Sequence, residues 1–267
     1  MIPNIPFEMN SGTDRSRWGP LAHALRAYQD GRNDARLVIR TDLGTREEWP
    51  VSLFFRTADE FPPLEREALR HCGRRVIEVG AGAGPHALAL QREGHEVLAV
   101  ESLPEIAALL AERGVERVTI RPLDDIAART ADTVLMLMNG LGLAGTLEGL
   151  QHLLKSAARL LAPEGRIVAD STDPRHFLEI DEGEPAFGQD GRYGGEVQFQ
   201  IEFDGAKGAP FPFLYVDAAT LANHASKAGL TLSAAYPFES GTYLAILERS
   251  VQDDAGQEAP SPYLEAG

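Results

Sequence analysis

The fold of this chain is decided by the stretch Arg75-Val76-Ile77-Glu78-Val79-Gly80-Ala81-Gly82-Ala83-Gly84-Pro85-His86. Its first five residues are mostly apolar and predict a strand that is buried on both faces. Three glycines at alternate positions follow, and an amphipathic run over 86–92 predicts a helix. A strand, a glycine-rich turn and a helix form the beginning of a βαβ unit. Because this turn presents backbone N–H groups and a helix N-terminus at the carboxyl end of the strand, it predicts a ligand site there.

The residues of the turn indicate which kind of ligand it serves. In the dinucleotide fingerprint G-x-G-x-x-G, counted from Gly80, the third glycine would fall on Pro85. Glu78 instead places a carboxylate at the strand end, which suits a ligand with an ammonium group better than a pyrophosphate. The segment 78–84 resembles the first motif, (D/E)-x-G-x-G-x-G, of the class I S-adenosylmethionine (SAM)-dependent methyltransferases, and it matches every specified position. A tight turn of the same shape without a ligand is the alternative.

The composition predicts a cytoplasmic protein with one substantial core. The chain has 267 residues, of which 43% are hydrophobic, and it contains no apolar run of about 18 residues that would predict a transmembrane helix. The first residues lack the basic and apolar regions of a signal peptide, and the single cysteine, Cys72, agrees with a reducing compartment. A formal net charge of −15 without a basic patch disfavours nucleic acid as a partner.

From residue 73 onwards, strand and helix patterns alternate, which predicts an α/β fold with a doubly wound parallel sheet. The predicted strands are 75–79, 95–100, 117–120, 133–138 and 166–169, and the predicted helices between them are 85–93, 104–113 and 147–161. A helix over 218–227 and two strands, over 230–236 and 243–247, complete the core. The methyltransferase sheet has such a closing hairpin with one antiparallel strand. The resemblance therefore implies a seven-stranded, mostly parallel, Rossmann-like sheet.

Two segments fall outside this alternation. Residues 1–72 begin with a loose arm over 1–17 and are predicted to form an N-terminal α+β cap that shapes the acceptor pocket, with a hairpin of 37–39 and 51–55. Residues 173–216 are predicted to be an insertion in a methyltransferase domain over 73–249, with a lid-like loop over 173–195 and an antiparallel hairpin of 197–203 and 211–216. Residues 250–267 are predicted to be a disordered acidic tail.

The aromatic residues of these two segments are predicted to cover the carboxyl edge of the parallel sheet. An apolar face on a half-buried strand must cover something, and helices already cover both faces of the central sheet. The aromatics in question are Phe54, Phe55, Phe199, Phe203, Phe211 and Phe213. A homodimer contact is the alternative, so a second copy of the chain is a possible partner.

Polar residues follow the predicted strands at this same edge, where open parallel sheets bind their ligands. The resemblance implies that Glu101 accepts both ribose hydroxyls of SAM, that Asp124 or Asp125 accepts from the adenine amino group, and that Asn139-Gly140 lies beside the sulfonium methyl. The full set of implied cofactor-binding residues is Glu78, Gly80, Ala81, Gly82, Gly84, Glu101, Ser102, Asp124, Asp125, Asn139 and Gly140. Arg56 joins this set because an arginine at a predicted strand end reaches a carboxylate, although a solvated arginine is the alternative.

The resemblance implies an in-line displacement at a methyl carbon. Positioning the acceptor about 3 Å from the methyl supplies much of the rate of such a reaction. A general base is needed only if the nucleophile arrives protonated, and the candidates are His86, His176, Tyr193 and Tyr215. No cysteine and histidine cluster has metal-ligand spacing, so no metal site is predicted.

The resemblance implies a bacterial branch of the family that acts on small molecules. The sequence does not decide whether the nucleophile is an O, N, S or C atom. Two alternatives remain, an NAD(P)-dependent oxidoreductase and a non-catalytic SAM-binding protein. The first is disfavoured by Pro85 at the third glycine position and by the lack of a Tyr-x-x-x-Lys pair.

Overall fold

The structure, a computed structural model, describes residues 11–178 and 192–250. In the N-terminal part, the elements in chain order are α1 (Ser11–Gln29), β1 (Arg36–Thr41), β2 (Arg46–Pro50) and α2 (Pro63–Arg70). The central part contains β3 (Arg75–Val79), α3 (Pro85–Arg92), β4 (Glu96–Val100), α4 (Pro104–Glu112), β5 (Val118–Thr119), β6 (Ala131–Met136), α5 (Leu147–Leu160) and β7 (Leu161–Thr172). The last part contains α6 (Arg175–Leu178), β8 (Glu196–Phe203), β9 (Ala206–Lys207), β10 (Phe211–Leu214), α7 (Ala218–Lys227), β11 (Leu230–Pro237) and β12 (Thr242–Arg249).

The main sheet has seven strands in the order β11-β12-β7-β6-β3-β4-β5. Strands β3 to β7 are parallel, and β12 runs antiparallel between β7 and β11. The order of strand addition reverses between β3 and β6, which creates a crevice at their carboxyl ends. This topology confirms the predicted seven-stranded, mostly parallel fold class.

The core forms because apolar faces of strands and helices meet. Strand β3 buries Val76, Ile77 and Val79, as the apolar run predicts for a central parallel strand. Helix α5 presents a row of buried leucines and alanines at helical spacing to the sheet. Thr146 begins this helix, because its side chain accepts a hydrogen bond of 3.0 Å from the Gly149 N–H. Among the helices that the structure describes, none is long and apolar enough to cross a membrane.

A second, antiparallel sheet combines the N-terminal segment with the insertion. Its order is β10-β8-β1-β2, with β9 also paired to β8. Ile39 of β1 lies opposite Ile201 of β8, and Phe199 of β8 lies opposite Phe211 of β10. Leu25 of α1 packs in the same apolar cluster as these residues. Segments that are far apart in the sequence therefore form one layer, although the domain boundaries at 72/73 and 249/250 remain a prediction.

The N-terminal hairpin differs from the predicted one. Residues 51–55, predicted as a strand, form a 3-10 helix over Val51–Phe55, and the charged segment Arg46–Pro50 is the strand instead. Strand β2 lies at the sheet edge, where charged side chains face solvent and protect the edge from further pairing. The apolar run buries Val51 fully by turning away from the sheet. The apolar run over 51–55 therefore wrongly predicted a strand.

The structure describes only part of the segments that were predicted to be an arm, a lid and a tail. The predicted loose arm over 1–17 is wrong for its last residues, because α1 already begins at Ser11. Residues 179–191 of the predicted lid and 251–267 of the predicted tail lie outside the residues that the structure describes.

Candidate active site

The glycine-rich turn after β3 has three positions whose backbone conformation only glycine adopts without strain. Gly80, Gly82 and Gly84 have φ values of +72°, +57° and +79°, in the left-handed region. A Cβ on Gly84 would lie 2.6 Å from Leu110 Cδ2 of α4, so this glycine permits close packing of the helices. A Cβ on Gly82 would meet its nearest atom only at 3.8 Å, so the space beside this glycine is open.

A cavity of about 740 Å³ begins at this turn and extends to the second sheet. Most of the predicted cofactor-binding residues line it, which brings the ends of β3, β4 and β6 to one site. The residues of the predicted set that line the cavity are Glu78, Gly80, Ala81, Gly82, Glu101, Ser102, Asn139 and Gly140. Gly84 supports the turn from behind through its packing on α4.

Glu101 ties the second strand to the glycine-rich turn. It directly follows β4, and only 8% of its surface is exposed. Its Oε1 atom accepts a hydrogen bond of 2.5 Å from the Gly82 N–H. The carboxylate therefore lies at the cavity wall beside the turn, where the predicted contact with ribose hydroxyls requires it.

The turn after β6 is held in a rare backbone conformation. Met138 and Asn139 have φ values of +63° and +58°, which non-glycine residues seldom adopt. Asp170, at the end of β7, accepts a hydrogen bond of 2.9 Å from the Gly140 N–H, and Thr172 donates to Asn139 Oδ1 at 2.8 Å. Burial raises the pKa of Asp170 to about 6, against the hydrogen bonds from Asn139 and Gly140 that lower it. Two neighbouring strands thus fix this part of the cavity wall.

His86 reaches the cavity from the first turn of α3, but both of its nitrogens are engaged. Nδ1 lies 3.2 Å from Glu78 Oε1, and Nε2 lies 3.0 Å from Glu65 Oε2. Burial lowers the pKa of His86, but the hydrogen bonds to Glu65 and Glu78 outweigh it and raise this pKa to about 9. A protonated imidazole with two carboxylate partners has no lone pair with which to accept a proton. This geometry does not suit a general base.

The other predicted bases lie elsewhere. His176 in α6 is exposed and packs over Gly241. The Tyr193 hydroxyl donates to Asp217 Oδ2 at 2.7 Å and accepts from the Asp217 N–H at 2.9 Å, at the beginning of α7. Burial raises the pKa of Tyr193. Neither side chain lines the cavity, whereas Tyr215 does.

Besides Gly84, three predicted cofactor residues are outside the cavity wall. The 3-10 turn Leu123–Asp125 buries Leu123 and leaves Asp124 and Asp125 exposed, with Asp124 3.5 Å from His152. Arg56 donates a hydrogen bond of 2.5 Å to Glu65 Oε1, behind His86. The structure therefore brings Arg56 close to the site without placing it at the cavity.

The far wall of the cavity is apolar and aromatic. The rings of Phe199 and Phe213 stack with centroids 4.4 Å apart, and Trp18 lies 4.4 Å from Phe211. The Phe213 ring packs so closely on Gly142 that a Cβ there would overlap it. Further lining residues that the sequence analysis missed are Trp18 and Leu21 of α1, Trp49 of β2 and Leu143. The amphipathic spacing of α1 was the available signal for the first two.

Within the described ranges 11–178 and 192–250, no group of three or more His, Cys, Asp or Glu side chains is arranged to hold a metal ion. The lining of the cavity offers carboxylates, backbone N–H groups and aromatic rings.

Comparison with known proteins identifies the family. No family model matches the chain. A SAM-dependent methyltransferase from Bacteroides fragilis, solved in complex with S-adenosyl-L-homocysteine (SAH), is 32% identical, with 91% of this chain and 97% of that chain covered and a TM-score of 0.76. The chain belongs to the SAM-dependent methyltransferases. This membership confirms the predicted family, enzyme class and cofactor.

Two further methyltransferases are similar to this chain. The CcbJ methyltransferase from Streptomyces caelestis is 19% identical over 72% of this chain and 94% of that chain, with a TM-score of 0.57, which shows a shared fold. The cypemycin N-terminal methyltransferase from a Streptomyces species is 36% identical over 109 residues. That match covers 39% of this chain and 44% of the relative, so it spans less than half of that protein's length.

Proposed function

We propose that this methyltransferase transfers the methyl group of SAM to a small-molecule acceptor with an apolar or aromatic body. The observation that carries the proposal is the composition of the cavity. Carboxylates and backbone N–H groups line the end formed by β3, β4 and β6, and stacked rings line the end formed by the second sheet. Ligand pockets combine a few placed polar groups with apolar walls in this way.

The polar end fits the cofactor. Oε2 of Glu78 is buried and has no hydrogen-bond partner among the described residues, and a buried acceptor without a partner is costly unless a ligand supplies a donor. The ammonium group of SAM is such a donor. Glu101 would hold the ribose hydroxyls, and the turn at Asn139-Gly140 would face the reacting end. The cofactor supplies an electrophilic methyl carbon on a sulfonium, which is already a good leaving group.

The residues of the chain contribute mainly by positioning. The acceptor's lone pair forms a bond to the methyl carbon while the bond from that carbon to sulfur breaks, and its electron pair stays on sulfur. Holding the two reactants in line supplies much of the acceleration. His86 carries its proton at neutral pH, and burial raises the pKa of Tyr215 to about 12, so both described groups are poor bases there. This favours an acceptor whose nucleophilic atom reacts without first losing a proton, such as an uncharged amine.

The aromatic wall favours an organic acceptor over a nucleic acid. A formal charge of −15 repels phosphate backbones, and stacked rings hold apolar surface while they exclude water from the reacting groups. We further propose that the protein works in the cytoplasm. The proposal includes a small molecule as the partner, and a homodimer stays a separate prediction.

The experiment that tests the proposal has two stages. Calorimetric titration should show binding of SAM and SAH and no binding of NAD. A panel of apolar amines, phenols and thiols, matched by a panel of charged polar compounds and oligonucleotides, is then incubated with SAM while SAH release is measured. We expect turnover in the first panel only. Binding of NAD instead of SAH, or turnover confined to oligonucleotides, would contradict the proposal.

A further inference from the structure

A row of four charged side chains lies behind the glycine-rich turn. It runs from Arg56 through Glu65 and His86 to Glu78, and each member contacts the next at 2.5–3.2 Å. The side chains of Glu65, His86 and Glu78 are only 4–6% exposed. Charges of opposite sign alternate along the row when His86 is protonated. Each buried ion then has an opposite neighbour, as buried charges require.

The geometry of His86 determines its charge state. A neutral imidazole has one donor nitrogen and one acceptor nitrogen, so it pairs well with only one of two carboxylates. His86 faces Glu78 with Nδ1 and Glu65 with Nε2, and only an imidazolium donates to both. The ring of Phe61 packs on this imidazole with centroids 5.0 Å apart and keeps water from it.

We propose that His86 is a positioning residue for the cofactor's ammonium group. As the cation between Glu65 and Glu78, it holds the Glu78 carboxylate in one orientation, with Oε2 left for the ammonium to donate to. Arg56 and Glu65 complete the row and fix the imidazolium from behind. The inference rests on the proposed function, because the ammonium group is that of SAM.

Two other titratable groups, Asp170 and Cys72, interact electrostatically with members of the row. Burial raises the pKa of Asp170 to about 6, which the charge of Glu65 raises further and that of His86 lowers. Burial raises the pKa of Cys72 to about 12, with Glu78 adding to the shift. At pH 7.5 Asp170 is thus an anion and Cys72 is neutral. Among the described residues that act electrostatically on His86, Glu65 and Glu78 are the two anions that face it.

A direct test needs no variant. In ¹⁵N-labelled full-length protein without ligand, NMR of the imidazole nitrogens should show His86 protonated on both nitrogens at pH 7.5. The His86 signals should titrate near pH 9. A His86 imidazole that is neutral at pH 7.5 would overturn the proposal, whether or not the protein binds SAM.

A second test uses SAH binding by calorimetry. His86→Asn keeps an amide donor near the Nδ1 position but carries no charge, so we expect SAH affinity to fall about tenfold at pH 7.5. At each pH, free SAH has the same protonation state in both titrations, so free SAH does not contribute to the difference in affinity between wild type and variant. We expect this difference to shrink from pH 7.5 to 10, because His86 loses its charge as the pH rises.

The matched control is His95→Asn. His95 Nδ1 lies 2.7 Å from the Gly73 carbonyl oxygen at the amino end of β4, so this variant should bind SAH as the wild type does. Unchanged affinity in His86→Asn would refute the positioning role and leave the proposed function intact. Failure of the wild type to bind SAH would instead refute the proposed function. If His86→Asn does not fold, the NMR measurement decides.

Discussion

The two ends of the cavity are constructed in different ways. The end where we propose that SAM binds, the cofactor end, uses turns that follow three strands within residues 78–140. Its polar groups are carboxylates and backbone N–H groups. The end where we propose that the methyl acceptor binds, the acceptor end, uses α1, β1, β8 and β10, which come from residues 11–41 and 196–214. It offers mainly rings and aliphatic groups. One end is a contiguous motif whose conformation is fixed by glycine, and the other is an assembled surface whose shape depends on pairing between distant segments.

Under the proposed function, this difference would separate recognition of SAM, which is the same in every reaction cycle, from recognition of the methyl acceptor. Polar groups in a fixed turn give directional hydrogen bonds, and directional bonds suit a ligand that never changes. An apolar wall binds by area, so it tolerates changes in side-chain identity that alter the shape of the pocket. The following predictions test how independent the two ends are.

The largest effect is expected at the cofactor end. Glu101→Ala should remove two charge-assisted hydrogen bonds to the ribose, each worth roughly 1.5–3 kcal/mol, and should weaken SAH binding on the order of a hundredfold or more. Calorimetric titration measures this change. Glu116→Ala removes an exposed carboxylate before β5 and should leave the affinity unchanged. An unaltered affinity in the Glu101 variant would exclude the ribose assignment.

The next effect concerns the turn that joins the two ends. Because the pKa of folded Asp170 is raised to about 6 from an ordinary value of 3.8, its stabilising contribution is complete below about pH 4 and is lost as the pH rises through 6. At pH 8 this costs up to about 3 kcal/mol. Asp170→Asn keeps an oxygen that accepts from the Gly140 N–H and does not ionise. The variant should therefore gain free energy of unfolding relative to wild type between pH 4 and 8.

Denaturant unfolding at several pH values measures that gain. The matched control is Asp124→Asn, since Asp124 is exposed and its substitution should change the free energy of unfolding at pH 8 much less than Asp170→Asn does. A constant difference between Asp170→Asn and wild type over this pH range would show that burial does not shift the carboxyl group.

A smaller effect is expected where the two ends touch. In Gly142→Ala the new Cβ overlaps the Phe213 ring, and overpacking of this kind costs about 1–3 kcal/mol of stability. Adding Phe213→Leu should restore part of that loss, and unfolding curves of the single and double variants give the coupling energy. Gly19→Ala, where no atom of the described residues lies within 4 Å of the new Cβ, should not destabilise the protein. Additive effects of the two substitutions would mean that the ends do not pack on each other.

The smallest effect on the cofactor is expected from the aromatic wall. Phe199→Leu replaces a ring that lines the cavity with a smaller side chain, so the KM for an apolar acceptor found in the screen should rise several-fold. The SAH affinity should stay within about twofold of wild type, because the cofactor end is unchanged. Phe203→Leu, on the same face of β8 but outside the cavity lining, is the matched control. A large loss of SAH affinity in Phe199→Leu would show that the two ends are not independent.

Most of the residues predicted from the sequence to bind the cofactor line one end of the cavity, because the sequence signals for this end are local. The spacing of Gly80, Gly82 and Gly84 requires a particular backbone, and Glu101 follows at the end of the next strand in the unit. Such patterns predict the structure well because the glycine conformation and the strand length fix the local geometry largely without the rest of the chain. The predicted fold class is confirmed for the same reason, since apolar runs of strand length alternate with helical patterns.

The remaining features depend on which segments meet. An apolar run predicted as a strand at 51–55 is a 3-10 helix, because the edge position in the sheet goes to the charged segment before it. Tyr193 and His176 looked available for catalysis, but tertiary packing commits Tyr193 to Asp217 and places His176 over Gly241. Glu65 gave no signal at all, since an acid in the first turn of a helix usually faces solvent and only the fold buries it against His86.

The pairing of β1 with β8 has a consequence for protein synthesis. Ile39 faces Ile201, so a ribosome that adds about 5–20 residues per second exposes β1 roughly 8–30 s before its partner strand exists. During that interval the edge of β1 that later pairs with β8 is unpaired, and the apolar side chains of Leu37 and Ile39 are open to chaperones or to aggregation. The glycine-rich turn and the strands that flank it leave the ribosome in the meantime. The nascent chain therefore contains the glycine-rich turn before the part of the aromatic wall contributed by β8 and β10 has been translated.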